Sequence, residues 1–549
     1  MIKKILLLFL CLFLILTTSC EDYYAFEANK LNKKANLLID DANSATNIEE
    51  KISFISEALE KLNKLQEKYP KTKISKKLTK NNKINHLSSL LDNLKKESKL
   101  ENIENEKRQV LNYIKKKINM AEIEIKRRNF SKSSLLILDA AEESISEISD
   151  PRSKIRLLNK ISQERFNIGD KDGALNTILD SLNLANEMHV DLPKKIIHLS
   201  KIYEILYLLQ EKEKYLIVEK KIYQIIDNEI TFDDNKSVAL TEIAKSNERI
   251  NNLEKTKIDI KKALDLSSSS AAYLEIANIQ NKMGDLNGSK KTLLLAKKNA
   301  VSTKQEFWNV RELINIAIFE NAIGLKEVSK ETLLQAEKFI KSNPDERIIL
   351  ELIQAAAKVG NINQAKSLVY LIKPDYEKAF AMSVIGKELG IRKNHTEMNI
   401  YLEKAMSLTP DLVAGNYDRL GLPGFSTKGR IFFNIAKSYA RIGNFDKAYR
   451  LLGLIESDRF YKEGIYDVLY MQSKINKEEA KVKALEVLNF GGKLLDNKFI
   501  SKIAVIQSIA GDIENSFNTI NQVSPSVDLS DSLINIAIHI NPQQEDHLT

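Results

Sequence analysis

Residues 313–336 read LINIAIFENAIGLKEVSKETLLQA. The order is an apolar helix, a glycine, four further residues, a small residue and a second apolar helix. Ile316 and Ala317 stand eight and seven residues before Gly324, while Ser329, Leu333 and Ala336 stand five, nine and twelve after it. Glycine supplies the left-handed or tight turn that ends the first helix. Small residues suit the point where two antiparallel helices cross closely, with large aliphatics filling the space beside them. This stretch predicts a helical hairpin.

The hairpin recurs, and recurrence at a short period marks a repeat architecture. Its glycines are Gly169, Gly284, Gly324, Gly360, Gly443 and Gly511. Five residues after each comes Ala174, Ser289, Ser329, Ala365, Ala448 or Ser516. Seven residues before them come Ser162, Ala277, Ala317, Ile353, Ala436 and Ala504. Weaker copies fill the gaps, with Asn251 and Gln210 at two turns, a longer copy turning near Gly390, and Val468 with Ala480 marking another. Ala121, Ser133 and Ala140 mark a first repeat upstream, and residues 533–538 duplicate residues 313–318 letter for letter. That last segment reads as a half-repeat capping the stack.

Composition agrees with helices joined by short polar turns. The 549 residues include only 18 glycines and 9 prolines, below the usual shares of roughly 7% and 5%. With 83 basic and 74 acidic residues the net charge is +9, a densely charged surface but no nucleic-acid signature by itself. Lys61 to Lys83 holds nine lysines against the single acid Glu67. A solvated face is the plain reading of that run, and attraction to anionic headgroups or an acidic partner the sharper one.

The small, glycine, small and late-alanine positions resemble the tetratricopeptide family over most of residues 110–549. The resemblance implies an all-α fold of antiparallel helical hairpins stacked as an α-solenoid, a tetratricopeptide-like superhelix; a related all-helical solenoid fits the same pattern. The aromatic usual at the fourth position survives only as Tyr273 and Phe432. The expected organisation is a leader at 1–19, a lysine-rich helical region at 20–110, and repeats at 111–410. A glycine-rich connecting loop at 411–429 follows, then repeats with a capping helix at 430–549.

The amino terminus reads as an address. A basic start is followed by the apolar run Ile5–Leu16, then Thr17-Thr18-Ser19 and Cys20, the order of a secretory signal. The run is shorter than the roughly 20 residues a membrane span needs. Its end at Cys20 resembles a bacterial lipoprotein signal, which implies acylation of Cys20, although Thr17 stands where the usual motif has leucine. An ordinary signal cleaved nearby is the alternative. The expected location is exported and lipid-anchored to the bacterial cell envelope, periplasmic or surface-facing. Cys11 and Cys20 are the only cysteines, so no disulfide framework exists in the body.

Chemistry-bearing motifs are missing. The six histidines have no metal-ligand spacing, and neither a nucleophile elbow nor a zinc-protease helix occurs. The sequence points to no enzyme, no cofactor and no metal. In tetratricopeptide arrays the first helices line a groove; with the glycine numbered fifteenth, positions two, five, nine, twelve and thirteen face it. None of the thirty such positions in the six clear repeats is acidic, where chance would give about four. The resemblance thus implies a basic, amide-rich groove that includes Arg156, Asn278, Lys282, Arg311, Arg347, Lys358, Arg430, Phe433, Lys437 and Arg441. Such a groove suits carboxylates and backbone amides. Accident, or pairing between neighbouring repeats, is the plain alternative. The expected function is a scaffold that binds protein or peptide partners, acidic ones above all, and meets the membrane through Cys20 but no nucleic acid. The alternative is a surface-exposed lipoprotein that binds external acidic ligands or host molecules.

Overall fold

The computed structural model describes residues 24–188, 192–302, 306–340, 345–373, 375–409, 427–455, 457–490 and 495–541. The leader, Cys20 and most of the 411–429 segment lie outside them. The chain divides into two compact units, 1–110 and 111–549. Among the described residues the regular structure is helical, and no helix is long and apolar enough to cross a membrane.

The first unit contains α1 (24–44), α2 (Ile48–Lys68), α3 (Lys73–Lys80) and the start of α4 (Lys83–Lys126). Its core is a seam in which Ala28, Ala35 and Ala42 meet Ile55, Leu62, Leu65 and Leu78. The side chains of Asn47 and Thr72 accept backbone N–H bonds at the starts of α2 and α3, as helix N-termini require.

The second unit begins with the end of α4 and with α5 (Phe130–Ser144), then runs as hairpins. These are α6 (Pro151–Ile168) with α7 (Lys171–Glu187), α8 (Leu192–Leu208) with α9 (Lys212–Gln224), and α10 (Asp233–Arg249) with α11 (Leu253–Leu266). Next come α12 (Ser270–Lys282) with α13 (Leu286–Ser302), α14 (Glu306–Ala322) with α15 (Lys326–Ile340), and α16 (Glu346–Val359) with α17 (Ile362–Val369). The last are α18 (Asp375–Ile391) with α19 (His395–Ser407), α20 (Thr427–Arg441) with α21 (Phe445–Leu452), α22 (Asp458–Ile475) with α23 (Lys477–Phe490), and α24 (Asn497–Ile509) with α25 (Ile513–Ile520). The single helix α26 (Val527–Ile540) ends the described chain. First helices pack on first helices of neighbouring hairpins, so the fold is a stacked solenoid.

The turns work as the glycine spacing predicts. All six glycines adopt positive φ, from 80° to 95°. At Gly169 the amide bonds to Phe166 and the next amide, of Asp170, reaches back to Arg165, a pairing that satisfies the last carbonyls of the helix. Arg128, Gln210, Asn251 and Lys393 hold the same conformation without glycine. The small residues do more than permit approach. The Ser289 hydroxyl donates to the Ala277 carbonyl at 2.9 Å, and Ser329 and Ser516 repeat the bond to Ala317 and Ala504 at 2.6 and 2.7 Å.

Two expectations are corrected. The long copy turns at Lys393 (φ 61°), not near Gly390. Gly390 lies inside α18, where a Cβ would stand 2.8 Å from Met398 Sδ, and a Cβ on Gly386 would stand 2.5 Å from Leu402 Cδ2. Those glycines serve close helix contact, not turning. Thr427 opens α20, so Lys428 and Gly429 belong to a helix and not to the connecting loop.

The terminal helix is no free cap. Ala537 of α26 accepts a hydrogen bond from Ser134 of α5, and the Ser144 and Ser530 hydroxyls meet further along. Asp531 receives Arg156 at 2.8 Å and Lys160 at 3.4 Å, both from α6. Helix α26 also packs on α24, as consecutive first helices do. It therefore stands between the last hairpin and the first, and the helices from α5 to α26 form a closed circuit. Its partner α5 serves two first helices at once. Ser133 bonds to Ala121 of α4 and Ser134 to Ala537 of α26. Burial of Leu529, Leu533, Ile534, Ile536 and Ile540, each contributing about 1.5–3 kcal/mol, holds this joint. The partly exposed ion pairs, at roughly 0–1 kcal/mol, fix its register.

Candidate functional site

The candidate residues all lie on first helices, but the structure sorts them into two groups. Four are engaged by carboxylates of the same chain. Arg156 is held by Asp531, Arg311 by Glu351 at 2.8 Å, Arg347 by Asp345 at 2.9 Å, and Lys437 by Asp467. Glu351, Asp345 and Asp467 sit beside the five groove positions, and Asp531 holds the second position of the terminal half-repeat, outside the six repeats counted, so the count misses all four. The weaker copies add acids within the groove positions as well. Glu204 falls at the ninth position of α8 and Glu248 at the twelfth of α10; Lys201 and Arg249 close on Glu204 at 2.6 and 3.2 Å. The acid-free pattern thus holds for the six clear repeats but not for α8 and α10.

The second group makes no ion pair among the described residues. Lys282 and Lys358 are exposed on α12 and α16, and Asn278 of α12 is half-buried. These three are dispersed. Arg430 and Arg441, by contrast, flank a dense cluster on α20. The Arg430 guanidinium lies 4.4 Å from the Phe380 ring centre, and Lys437 lies 4.8 Å from that of Phe433. Phe433 packs on Phe460 of α22 with ring centres 6.1 Å apart. Farther along α22, Tyr466 and Tyr470 stack at 6.3 Å. Lys502 of α24 lies over the first, 4.6 Å away, and Lys474 over the second at 5.7 Å. A ring face positions a cation but leaves its charge unneutralised.

Lys387 of α18 completes the cluster. Burial lowers its ammonium below the ordinary value, and nearby Arg441 and Lys437 lower it further, against the opposing pull of Glu388 at 3.5 Å. Crowded cations of this kind favour an incoming anion. Sequence reasoning missed Lys387 because the turn of its repeat was placed near Gly390. With Lys393 at the fifteenth position, Lys387 falls at the ninth, in line with Lys437 on the next helix. Lys474, Lys502 and the two tyrosines carried no signal, since their repeat has no turn glycine or they lie off the five chosen positions.

Polar side chains elsewhere between paired helices are structural. Asn247 donates to Asp259 at 2.9 Å, Thr292 to Gln280 at 2.7 Å and Thr332 to Glu320 at 2.7 Å, each across one hairpin. Arg165 is enclosed by Asp139, Glu142 and Asp170 at 2.7, 2.7 and 2.8 Å. No group of three or more potential metal-ligating side chains occurs among the described residues.

No family model matches the chain, and no curated protein matches it. Solved structures that share parts of the helical arrangement include Ton1535 from Thermococcus onnurineus NA1. It is 14% identical, with 74% of this chain and 99% of that one covered, at a TM-score of 0.24. A signal-transduction ATPase with a tetratricopeptide repeat sensor, PH0952 from Pyrococcus horikoshii, is 12% identical over 72% and 66% of the two chains, at 0.25. Human IFIT1, solved as a dimer with m7Gppp-AAAA, is 11% identical over 69% and 94%, at 0.24. At such scores these likenesses carry no weight, and the fold assignment rests on the helices described above.

Proposed function

We propose that this protein is a lipid-anchored scaffold of the bacterial cell envelope, held through Cys20 and built to bind, not to catalyse. Its repeats hold a partner segment rich in carboxylates against the faces of α18, α20, α22 and α24. The observation that carries this reading is the set of cations seated on aromatic rings, Arg430, Lys474 and Lys502, with exposed Arg441 on the same helix as Arg430; none of the four makes an ion pair among the described residues. Charge-assisted hydrogen bonds from such groups to carboxylates are about twice as strong as neutral ones. Arg156, Arg311 and Arg347 are not part of the binding strip, because satisfying a ligand there would cost an existing ion pair.

The test is capture of partners from detergent-solubilised envelopes by the intact chain and by an Arg430→Glu/Arg441→Glu variant of unchanged helicity. A partner retained by the first and lost by the second supports the strip. Equal capture by both places binding elsewhere and removes it. Mass spectrometry of the chain recovered from membranes tests the anchor separately, through the presence or absence of acyl groups on Cys20.

A further inference from the structure

The first unit carries a lysine-rich surface of its own. Within the Lys61–Lys83 run, Lys61 is paired with Glu57 and Lys83 is bonded to Asn36. Lys64, Lys68, Lys71 and the four lysines of α3 are exposed, and none makes an ion pair among the described residues. At about 100° per residue, Lys73, Lys76, Lys77 and Lys80 fall within a single arc of about 100°. The buried Ser75 and Leu78 occupy the opposite side of α3. Like charges three and four residues apart destabilise an isolated helix, so helix stability does not account for this face.

A second observation says what the face meets. Tyr24, at the start of α1, packs on Tyr69 with ring centres 5.9 Å apart, and Tyr69 caps α2 between Lys68 and Lys71. Tyr24 and Phe26 are nonetheless 50% and 64% exposed. Three residues separate Tyr24 from Cys20, and the four steps of chain between them span at most about 14 Å when fully extended. An acyl chain on Cys20 therefore holds the bilayer surface close to this lysine run. Aromatic side chains are enriched at the level of lipid headgroups.

The geometry points to an anionic-lipid contact surface on α2 and α3, with the lysine face against headgroups and Tyr24 and Phe26 beside it at the interface. It takes its orientation from the proposed Cys20 anchor, but its charge acts whether or not that residue is acylated. A lipid anchor and a polybasic patch together attach a chain far more firmly than either alone. The surface belongs to the first unit, and none of its residues is among those of the α18–α24 strip.

The experiment measures sedimentation of the full chain with phosphatidylcholine vesicles, with and without one quarter phosphatidylglycerol. The chain is compared with Lys73→Glu/Lys76→Glu/Lys77→Glu/Lys80→Glu and with the corresponding fourfold Gln variant. The leader and any acyl chain contribute alike to all three proteins, so the gain caused by phosphatidylglycerol isolates the lysines. The expected gain is roughly tenfold or more for the natural chain, mostly lost in the Gln variant and abolished in the Glu variant. It should also vanish in half-molar salt, where screening is strong. No gain for the natural chain, or an undiminished gain in both variants, overturns the surface. An unacylated Cys20 with the gain intact removes the anchor and leaves the surface standing; an acylated Cys20 without the gain does the reverse.

Discussion

The Ser134 hydroxyl donates to the backbone carbonyl of Ala537 at 2.9 Å, across 403 residues of sequence. Ser329 makes the same bond to Ala317 within one hairpin, twelve residues apart. Residues 533–538 repeat residues 313–318, so α26 presents to α5 the surface that α14 presents to α15. The amino-terminal and carboxy-terminal ends of the array thus make one repeat between them. An open solenoid frays from its ends, whereas this joint ties the ends together.

Ala537→Leu should therefore loosen both ends at once. Ala537 is fully buried, and overpacking such a site costs about 1–3 kcal/mol. Hydrogen exchange should show α5 and α26 losing protection together while α14 and α15 keep theirs. Fast exchange of α26 with α5 unaffected would contradict the joint. In a Ser144→Cys/Ser530→Cys chain, oxidation should form the crosslink within one copy, and a crosslink only between copies would count against closure.

At the repeat turns the sign of a glycine substitution should depend on what is already there. Gln210 holds φ at 64°, so Gln210→Gly should stabilise the chain by about 1 kcal/mol. Gly169→Ala should lose a similar amount through backbone strain alone, because nothing lies within 4 Å of the added Cβ. Shifts of the urea midpoint in opposite directions are the expected readout.

Gly386→Ala fails for a different reason, a Cβ placed 2.5 Å from Leu402 Cδ2. The expected cost is about 1–3 kcal/mol. Combining it with Leu402→Ala should cost less than the two changes summed, since the second removes the clash. Strict additivity would show that the contact is not the cause.

Asp259 supplies a pH dependence. Burial raises its carboxyl to about 6, against hydrogen bonds from Tyr223 and Asn247 that lower it. The folded chain therefore holds the proton to higher pH than the unfolded chain does. The associated stability is fully present below about pH 4 and is lost as pH rises through about 6, by about 3 kcal/mol in all. Asp259→Asn should flatten this part of the curve of melting temperature against pH; an unchanged slope would exclude Asp259 as its source.

Removing Arg165 should leave Asp139, Glu142 and Asp170 facing one another without their shared cation. Arg165→Met is expected to cost about 3–5 kcal/mol at neutral pH. Part of that loss should return towards pH 4 as the carboxylates protonate. A loss independent of pH would mean that packing of the side chain matters more than its charge.

Much of this was legible in spacing alone. A glycine followed by a small residue at a fixed distance imposes a turn and a close crossing wherever it occurs, so six turns could be placed from Gly169, Gly284, Gly324, Gly360, Gly443 and Gly511. Local sterics set such features, and local sterics are written in neighbouring residues. The turn at Lys393 was hidden because no side chain there announces positive φ, while Gly390 nearby served helix contact instead. That three-residue error also concealed Lys387.

What tertiary structure alone decided is which charges are spent and where the chain ends meet. Arg156 and Arg430 occupy the same repeat position in sequence, yet one is held by Asp531 and the other lies over Phe380. Their partners come from other helices, and no local pattern encodes a contact made 375 residues away. Repeat spacing determined the hairpins by itself, because each hairpin is held by its own backbone turns and small residues. Closure through Ser134 and Ala537 required the accumulated path of all the intervening helices, a sum of small packing angles that no single repeat contains.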